Sequence, residues 1–159
     1  TRSYPHAMTT HKKFTFALTA LTALTALTAV ISAPAANAQT KITVTPQYKV
    51  SHKVPQVTFT FKGLPTKHGI YIEECMAPGK LGAAPTSCDP SESSKLWISP
   101  LAADQKYGAQ SGVKPVTMKV DPYFKGGDCI HTTCVFFATS DHNAPTDRSE
   151  DQAIPFKFA

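Results

Sequence analysis

Apolar and polar side chains alternate strictly in Gln56-Val57-Thr58-Phe59-Thr60-Phe61-Lys62, and this alternation is the clearest sign of a β fold in the chain. A period of two residues is typical of a β-strand that buries one face. We therefore predict that Val57, Phe59 and Phe61 point into a core and that the threonines between them point outward. Gly63-Leu64-Pro65 follows at once and ends the strand.

Six further short segments favour β-strands, since they are rich in β-branched and aromatic residues and are bounded by turn residues. They comprise residues 41–45, 69–75, 94–99, 115–120, 134–139 and 153–158. No stretch after residue 38 shows a helical period, and 13 prolines and 8 glycines punctuate the chain. Seven short strands predict an all-β sandwich or barrel. Pro155 cannot donate a ladder hydrogen bond, so we expect the last strand at a sheet edge or a bulge.

The N-terminal part of the chain has the layout of a secretory signal peptide. His11-Lys12-Lys13 is basic, residues 14–31 carry no charge, and Ala36-Asn37-Ala38 is a small-residue cleavage site. We predict an N-terminal extension and signal peptide over residues 1–38 and a folded domain over residues 39–159. The alternative is a retained membrane anchor, because the uncharged stretch is about long enough to span a bilayer. The protein is expected to be secreted or associated with the cell envelope, and to meet a membrane only through the uncleaved signal.

The size and charge of the chain argue against a two-domain protein and against a nucleic-acid-binding protein. Of its 159 residues, 42% are hydrophobic, which is enough for one core and not for two. The net charge of +5 falls to +2 when Arg2, Lys12 and Lys13 leave with the signal peptide. The other lysines are scattered rather than clustered, so we expect no direct nucleic-acid binding.

Four cysteines lie in the predicted domain: Cys75, Cys88, Cys129 and Cys134. An even number in a small exported domain indicates two disulfides. Three connectivities are possible, and we expect the sequential one, which closes two short loops. A metal site is the alternative, because His131 stands between the last two cysteines. Zinc sites usually combine two cysteine pairs with two to four residues between the members, and here twelve residues separate Cys75 from Cys88, so we expect no metal.

The polar residues do not form a recognisable catalytic set, so we predict that the protein is not an enzyme. Ser140-Asp141-His142 are neighbours on an extended chain and point apart, whereas a catalytic triad meets through the fold. Glu73 and Glu74 are adjacent on a strand and face opposite sides, so they cannot act as a carboxylate pair. The histidines of the domain lie among polar turns and are expected on the solvated surface: His52, His68, His131 and His142.

One predicted strand is apolar on both faces. Val135-Phe136-Phe137 can direct only one of its faces into the core. Tyr71 and Trp97 likewise lie on strands whose alternate positions already serve the core. Either loops cover these side chains, or they line a shallow aromatic cleft for an apolar small molecule.

An ordered set of segments in the second half resembles a known family. It consists of residues 116–120, Phe124-Lys125-Gly126, Asp128-Cys129, Cys134, Ser140-Asp141 and residues 153–156. In the first half, residues 42–46, Gly63-Leu64, Tyr71, Cys75 and Cys88-Asp89-Pro90 agree with it. Together they are similar to the neocarzinostatin family of secreted actinobacterial chromophore-binding proteins, over nearly all of residues 40–158. The resemblance implies an immunoglobulin-like, seven-stranded antiparallel β-sandwich with two sequential disulfides.

The resemblance also implies a function and a site. Members of the family are non-enzymatic carriers that hold an enediyne chromophore, an antibiotic, in a cleft beside the sandwich. By position, Cys75 and Cys88 match the disulfide near the cleft floor, Ser140 a cleft-lining serine, and Phe124 an aromatic of the bordering hairpin. Lys125-Gly126-Gly127 departs from the family by leading straight to Asp128, which shortens the cleft wall.

These observations lead to two hypotheses about function. The first is a monomeric carrier of an apolar, enediyne-type or other aromatic small molecule. The molecule would be bound non-covalently, and no cofactor is expected. Its ligand-binding residues would be Tyr71, Cys75, Cys88, Trp97, Phe124, Phe137 and Ser140. The second is an exported cell-envelope or adhesion module that binds a protein or a glycan.

Overall fold

The computed structural model describes residues 39–159, and the predicted signal peptide and its cleavage site lie outside them. The strands are β1 (Lys41–Thr45), β2 (Gln56–Lys62), β3 (Ile70–Met76), β4 (Lys95–Ile98), β5 (Val116–Lys119), β6 (Tyr123–Phe124), β7 (Gly127–Asp128), β8 (Cys134–Ser140) and β9 (Gln152–Phe156). One short helix, α1 (Ala102–Gln105), and a 3-10 turn, Glu92–Ser94, complete the regular structure of this part of the chain.

Two antiparallel sheets form the sandwich. One has the strand order β1-β2-β5 and the other the order β4-β3-β8-β9, while β6 and β7 make a separate hairpin. This arrangement is an immunoglobulin-like seven-stranded sandwich, as predicted. The last strand, β9, lies at an edge of its sheet, which confirms the expectation drawn from Pro155.

The core lies between the sheets and is filled by the inward side chains of both. Phe59 of β2 is fully buried and meets Phe136 of β8 edge-on, with 5.1 Å between ring centroids. Phe136 also stacks on Phe156 of β9 at 4.2 Å. Val57 is 1% exposed, and Phe61 is half-buried against the same core, so the predicted inward face of β2 is confirmed. Offset and edge-on aromatic pairs of this kind stabilise a core beyond the area that they bury.

The disulfides pair in sequence, as predicted. Cys75 joins Cys88 and Cys129 joins Cys134, and no described cysteine is free. The first bridge links β3 to the segment that re-enters the sheet beside it. The second closes the short turn between β7 and β8.

Three elements are too short to show a period in the sequence, and only the hairpin of β6 and β7 was expected, from the family resemblance. β6 and β7 contain two residues each, and α1 contains four. The α1 turn follows Pro100 and is fixed by Asp104, whose Oδ2 accepts a hydrogen bond of 2.6 Å from the Ser99 hydroxyl. Among residues 39–159, no helix has the length and apolar character needed to cross a membrane.

Candidate functional site

The four-stranded sheet has one face toward the core and one face toward solvent, which we call the outer face. Strand alternation and register assign its side chains. They are Lys95 and Trp97 of β4, Tyr71, Glu73 and Cys75 of β3, Val135, Phe137 and Thr139 of β8, and Ala153 and Pro155 of β9. Cross-strand pairing arranges these residues in three rows, which begin with Trp97, Lys95 and Cys75.

The first row forms an aromatic corner. Tyr71 lies directly opposite Trp97, with 6.0 Å between ring centroids, and both rings are partly exposed. His142 follows β8 and meets Trp97 edge-on at 5.1 Å. The Tyr71 hydroxyl lies 2.5 Å from His142 Nδ1, so a hydrogen bond joins these two side chains. Three ring systems therefore hold one another at this end of the sheet.

Asp141 anchors the corner from beneath. Its Oδ2 accepts hydrogen bonds of 3.0 Å from Trp97 Nε1 and from Gly69 N, and its Oδ1 accepts one from Asn143 N. Burial alone would raise the pKa of Asp141, but the hydrogen bonds from Trp97, Asn143 and Gly69 hold it below its ordinary value. The carboxylate therefore stays ionised. Burial and this nearby charge both raise the pKa of the Tyr71 hydroxyl.

A pocket of about 340 Å³ opens beside the two rings. Its lining consists of Tyr71, Glu73, Glu92, Lys95, Leu96 and Trp97. Lys95 Nζ lies 3.8 Å from Glu73 Oε1 and 3.9 Å from Glu92 Oε1, so a charged rim borders the aromatic wall. This volume falls at the lower end of the range for small-molecule sites, about 300–1,000 Å³.

The third row contains the first disulfide. Cys75 is fully buried, Cys88 is half-buried, and Val135 beside them is 3% exposed. The Ser87 hydroxyl donates a hydrogen bond of 3.0 Å to Gly126 O, which ties the disulfide loop to the β6–β7 hairpin. The side chains of the disulfide row are therefore covered and unavailable to a ligand, while those of the Tyr71–Trp97 row are accessible from solvent.

The structure places five of the seven predicted ligand-binding residues on the outer face or bonded to it, and two of them, Tyr71 and Trp97, line the pocket. Tyr71, Trp97, Phe137 and Cys75 project from the outer face, and Cys88 is bonded to the last of them. Phe124 instead packs against the hydrophobic core from β6 and is not among the residues that line the pocket.

Ser140, the seventh, lies on the opposite face of the sheet. It is 6% exposed, and its hydroxyl has no hydrogen-bond partner within the described chain. The outward hydroxyl of β8 belongs to Thr139, which pairs across the sheet with Tyr71. Positions 137 and 140 are three apart and cannot share a face of a strand, so the period of two already favoured Thr139.

Two other residues of the site gave no signal in the sequence. His142 was expected on the solvated surface, and it is exposed, yet its ring packs on Trp97 and Tyr71. Lys95 reads as an ordinary strand lysine, and only its pairing with Glu73 shows its place on the rim. Both positions depend on strand neighbours that are distant in the chain.

One group of possible metal ligands lies at this face. Within the part of the chain that the structure describes, ligand atoms of Glu73, Cys75 and Cys88 come within 4.8 Å of one another. Both sulfurs belong to the disulfide, so they offer no thiolate, the form in which cysteine binds metals. The set does not fit a metal ion in this oxidised state.

Carboxyl groups also meet on the core side of β3. Glu74 is fully buried, and its Oε2 accepts a hydrogen bond of 2.8 Å from Asp121 N. Burial above all raises the pKa of Glu74 to about 8, and the charges of Asp89 and Asp121 act in the same direction. Glu74 is therefore largely neutral at pH 7, while Glu73, next to it, faces the charged rim of the pocket.

Comparison with known proteins adds one similar structure. The solved structure of macromomycin is similar to this chain at 22% sequence identity and a TM-score of 0.48, over 76% of this chain and 99% of that chain. No family model matches the sequence, and no curated protein matches it. Membership of the neocarzinostatin family stays a prediction.

Proposed function

We propose that this protein binds a small aromatic compound on the outer face of the four-stranded sheet. The observation that carries the proposal is the open row of Tyr71 and Trp97, two partly exposed rings that form one wall of the pocket. Phe137 extends the apolar surface from the neighbouring row. Apolar chromophores of the kind held by the neocarzinostatin family belong to this class of ligand.

The rings are held in place before any ligand binds. Asp141 fixes the indole of Trp97, and His142 fixes the phenol of Tyr71. A ligand that stacks on them therefore loses little side-chain freedom, which is a main cost of association. Burying part of an aromatic ring on such a surface contributes about 1–3 kcal/mol.

The depth of the site limits the affinity. The pocket is small, and the disulfide row beside it is already closed, so a drug-sized ligand would keep part of its surface in water. We expect micromolar dissociation constants, which correspond to a binding free energy of about −8 kcal/mol. The rim of Glu73, Lys95 and Glu92 would contact polar substituents of the ligand and fix its orientation.

The protein would act by binding rather than by catalysis, as an exported monomer. Glu73 and Glu74 face opposite sides of β3, and the Ser140 hydroxyl is buried on the core side of β8. The two glutamates therefore cannot act on one reacting atom, and the Ser140 hydroxyl is shielded from solvent. Two disulfides suit an oxidising compartment, which supports export.

The proposal is tested by titrating an aromatic polyketide, such as an anthraquinone, into the purified protein. Trp97 is the one tryptophan of the chain, so its fluorescence reports directly on the site. Tyr71→Ala should weaken binding by roughly 5- to 150-fold, the equivalent of about 1–3 kcal/mol. Tyr107→Ala is the matched control, because Tyr107 follows α1, is 83% exposed and does not line the pocket. Equal affinities of the two variants would contradict the proposed site.

A further inference from the structure

The outward surface of the three-stranded sheet differs in chemistry from the outer face, and we call it the threonine face. It lies on the other side of the sandwich. Its side chains are Lys41, Thr43 and Thr45 of β1, Gln56, Thr58, Thr60 and Lys62 of β2, and Thr117 and Lys119 of β5. All of these side chains except Thr58 are exposed. The alternate residues of the same strands, such as Val44, Phe59 and Met118, are buried. The face therefore presents no large apolar side chain.

The threonines of this face form a continuous array. Thr43 pairs with Thr60, Thr45 pairs with Thr58, and Thr58 pairs in turn with Thr117. Neighbouring hydroxyls are spaced by the geometry of the sheet, about 4.8 Å between strands and about 7 Å along a strand. The hydroxyls of Thr58 and Thr117 lie 3.4 Å apart. Each hydroxyl can both donate and accept a hydrogen bond, so the array matches a ligand that is rich in hydroxyl groups.

Positive charge stands at the ends of the array. Lys41 lies directly opposite Lys62, an arrangement of like charges that destabilises a sheet unless an anion neutralises it. Strands β1, β2 and β5 contain no aspartate or glutamate. Within residues 39–159, neither lysine of this pair lies within 4 Å of a carboxylate.

The far end of the face carries a single lysine. Lys119 lies opposite Gln56, six residues along β2 from Lys62, a separation of about 20 Å. Burial and the neighbouring Asp89 raise the pKa of Asp121, and the charge of Lys119 opposes this rise, so Lys119 already has a carboxyl group in its field. The Lys41–Lys62 pair is therefore the main site for an anionic group, and Lys119 is a second, weaker one.

We propose that the threonine face binds a linear polyanionic polysaccharide that lies along β2. The Lys41–Lys62 pair would hold a sulfate, phosphate or carboxylate group, and the threonine hydroxyls would contact the saccharide hydroxyls beyond it. A duplex nucleic acid fits less well, because it carries one charge per 1.7 Å and would place phosphates over the uncharged centre of the face. A protein partner would find no apolar anchor on this surface, and such anchors dominate protein interfaces.

The experiment compares dextran sulfate with unmodified dextran, which has the same backbone without charge, against the purified full chain by titration calorimetry. The Lys41→Gln/Lys62→Gln variant should bind dextran sulfate roughly 20- to 30-fold more weakly, at about fivefold for each lysine near an anionic surface. It should also reduce the slope of log affinity against log salt by about two. The control Lys80→Gln/Lys106→Gln changes the net charge equally at exposed lysines elsewhere. If both double variants lose affinity equally, attraction by net charge explains the binding and the proposal is wrong.

A second variant separates the hydroxyl array from simple charge attraction. Thr43→Val/Thr60→Val keeps the shape and β-propensity of the two side chains and removes their hydroxyls. It should weaken dextran sulfate binding by roughly 5- to 30-fold, from about 0.5–1 kcal/mol for each of the two lost hydrogen bonds, with an unchanged salt slope. Unchanged affinity in this variant, or a short duplex DNA that binds as tightly as dextran sulfate, would overturn the proposal.

Discussion

Replacing Glu74 by glutamine should stabilise the protein, and the gain should depend on pH. Burial raises the pKa of Glu74 in the folded protein to about 8, from an ordinary value of 4.5. A raised carboxyl pKa means that the folded state binds a proton that the unfolded state releases. The free energy of unfolding therefore falls as the pH rises from about 4.5 to about 8, and levels off above that.

The size of the effect follows from the distance between the two pKa values. A pH of 7 lies about 2.5 units above the pKa of Glu74 in the unfolded chain. At 1.36 kcal/mol per unit, the proton taken up on folding costs about 3 kcal/mol of stability. Glutamine has nearly the shape of the protonated acid and needs no proton uptake. Its carbonyl oxygen can still accept the hydrogen bond from Asp121 N. Glu74→Gln should thus raise the free energy of unfolding by about 3 kcal/mol at pH 7 and by little at about pH 4.

Urea unfolding with intact disulfides measures this difference at several pH values, with Trp97 fluorescence as the readout. Glu73→Gln is the control, because Glu73 is next in the chain, faces the pocket and pairs with a partly exposed Lys95. A surface ion pair of this kind contributes about 0–1 kcal/mol, so the control should change stability little. A Glu74→Gln gain that is the same at both ends of the pH range, or a loss of stability at pH 7, would refute the reasoning.

Two further predictions concern the framework of the site. Gly69→Ala should destabilise the fold by about 2–4 kcal/mol, because a Cβ at this position would lie 2.5 Å from Ile98 O and 2.6 Å from Asp141 Oδ2; thermal unfolding checks this, and a change below about 0.5 kcal/mol would contradict it. Replacing both Cys129 and Cys134 by serine should cost about 2–5 kcal/mol in urea unfolding, and a variant as stable as the parent would show that the turn is held by other contacts.

The strands were predictable because most of them bury one face and expose the other. In β2, Val57 and Phe59 alternate with exposed or half-exposed threonines, so the pattern identified both the element and its inward side. The same rule was available for β8, where it separates Phe137 and Thr139 from Ser140. The family resemblance implies a cleft-lining role for Ser140, whereas the alternation of β8 places its side chain on the core face.

The remaining features depend on contacts between distant segments. His142 joins the aromatic corner only because β8 pairs with β3, which brings the residues after Ser140 beside Tyr71. The raised pKa of Glu74 likewise comes first from its burial and then from the charges of Asp89 and Asp121, which approach it through the fold. Alternation shows that Glu74 points inward, but it does not show which groups surround it.

The central claim is that the outer face, and not another surface, receives the aromatic ligand. Mapping amide chemical shifts of the isotope-labelled protein during an anthraquinone titration tests this most directly. We predict that shifts concentrate at Tyr71, Glu73, Lys95, Trp97 and Phe137 and saturate with one micromolar dissociation constant. Shifts that cluster elsewhere, or an unchanged spectrum at ligand concentrations well above the micromolar range, would contradict the account.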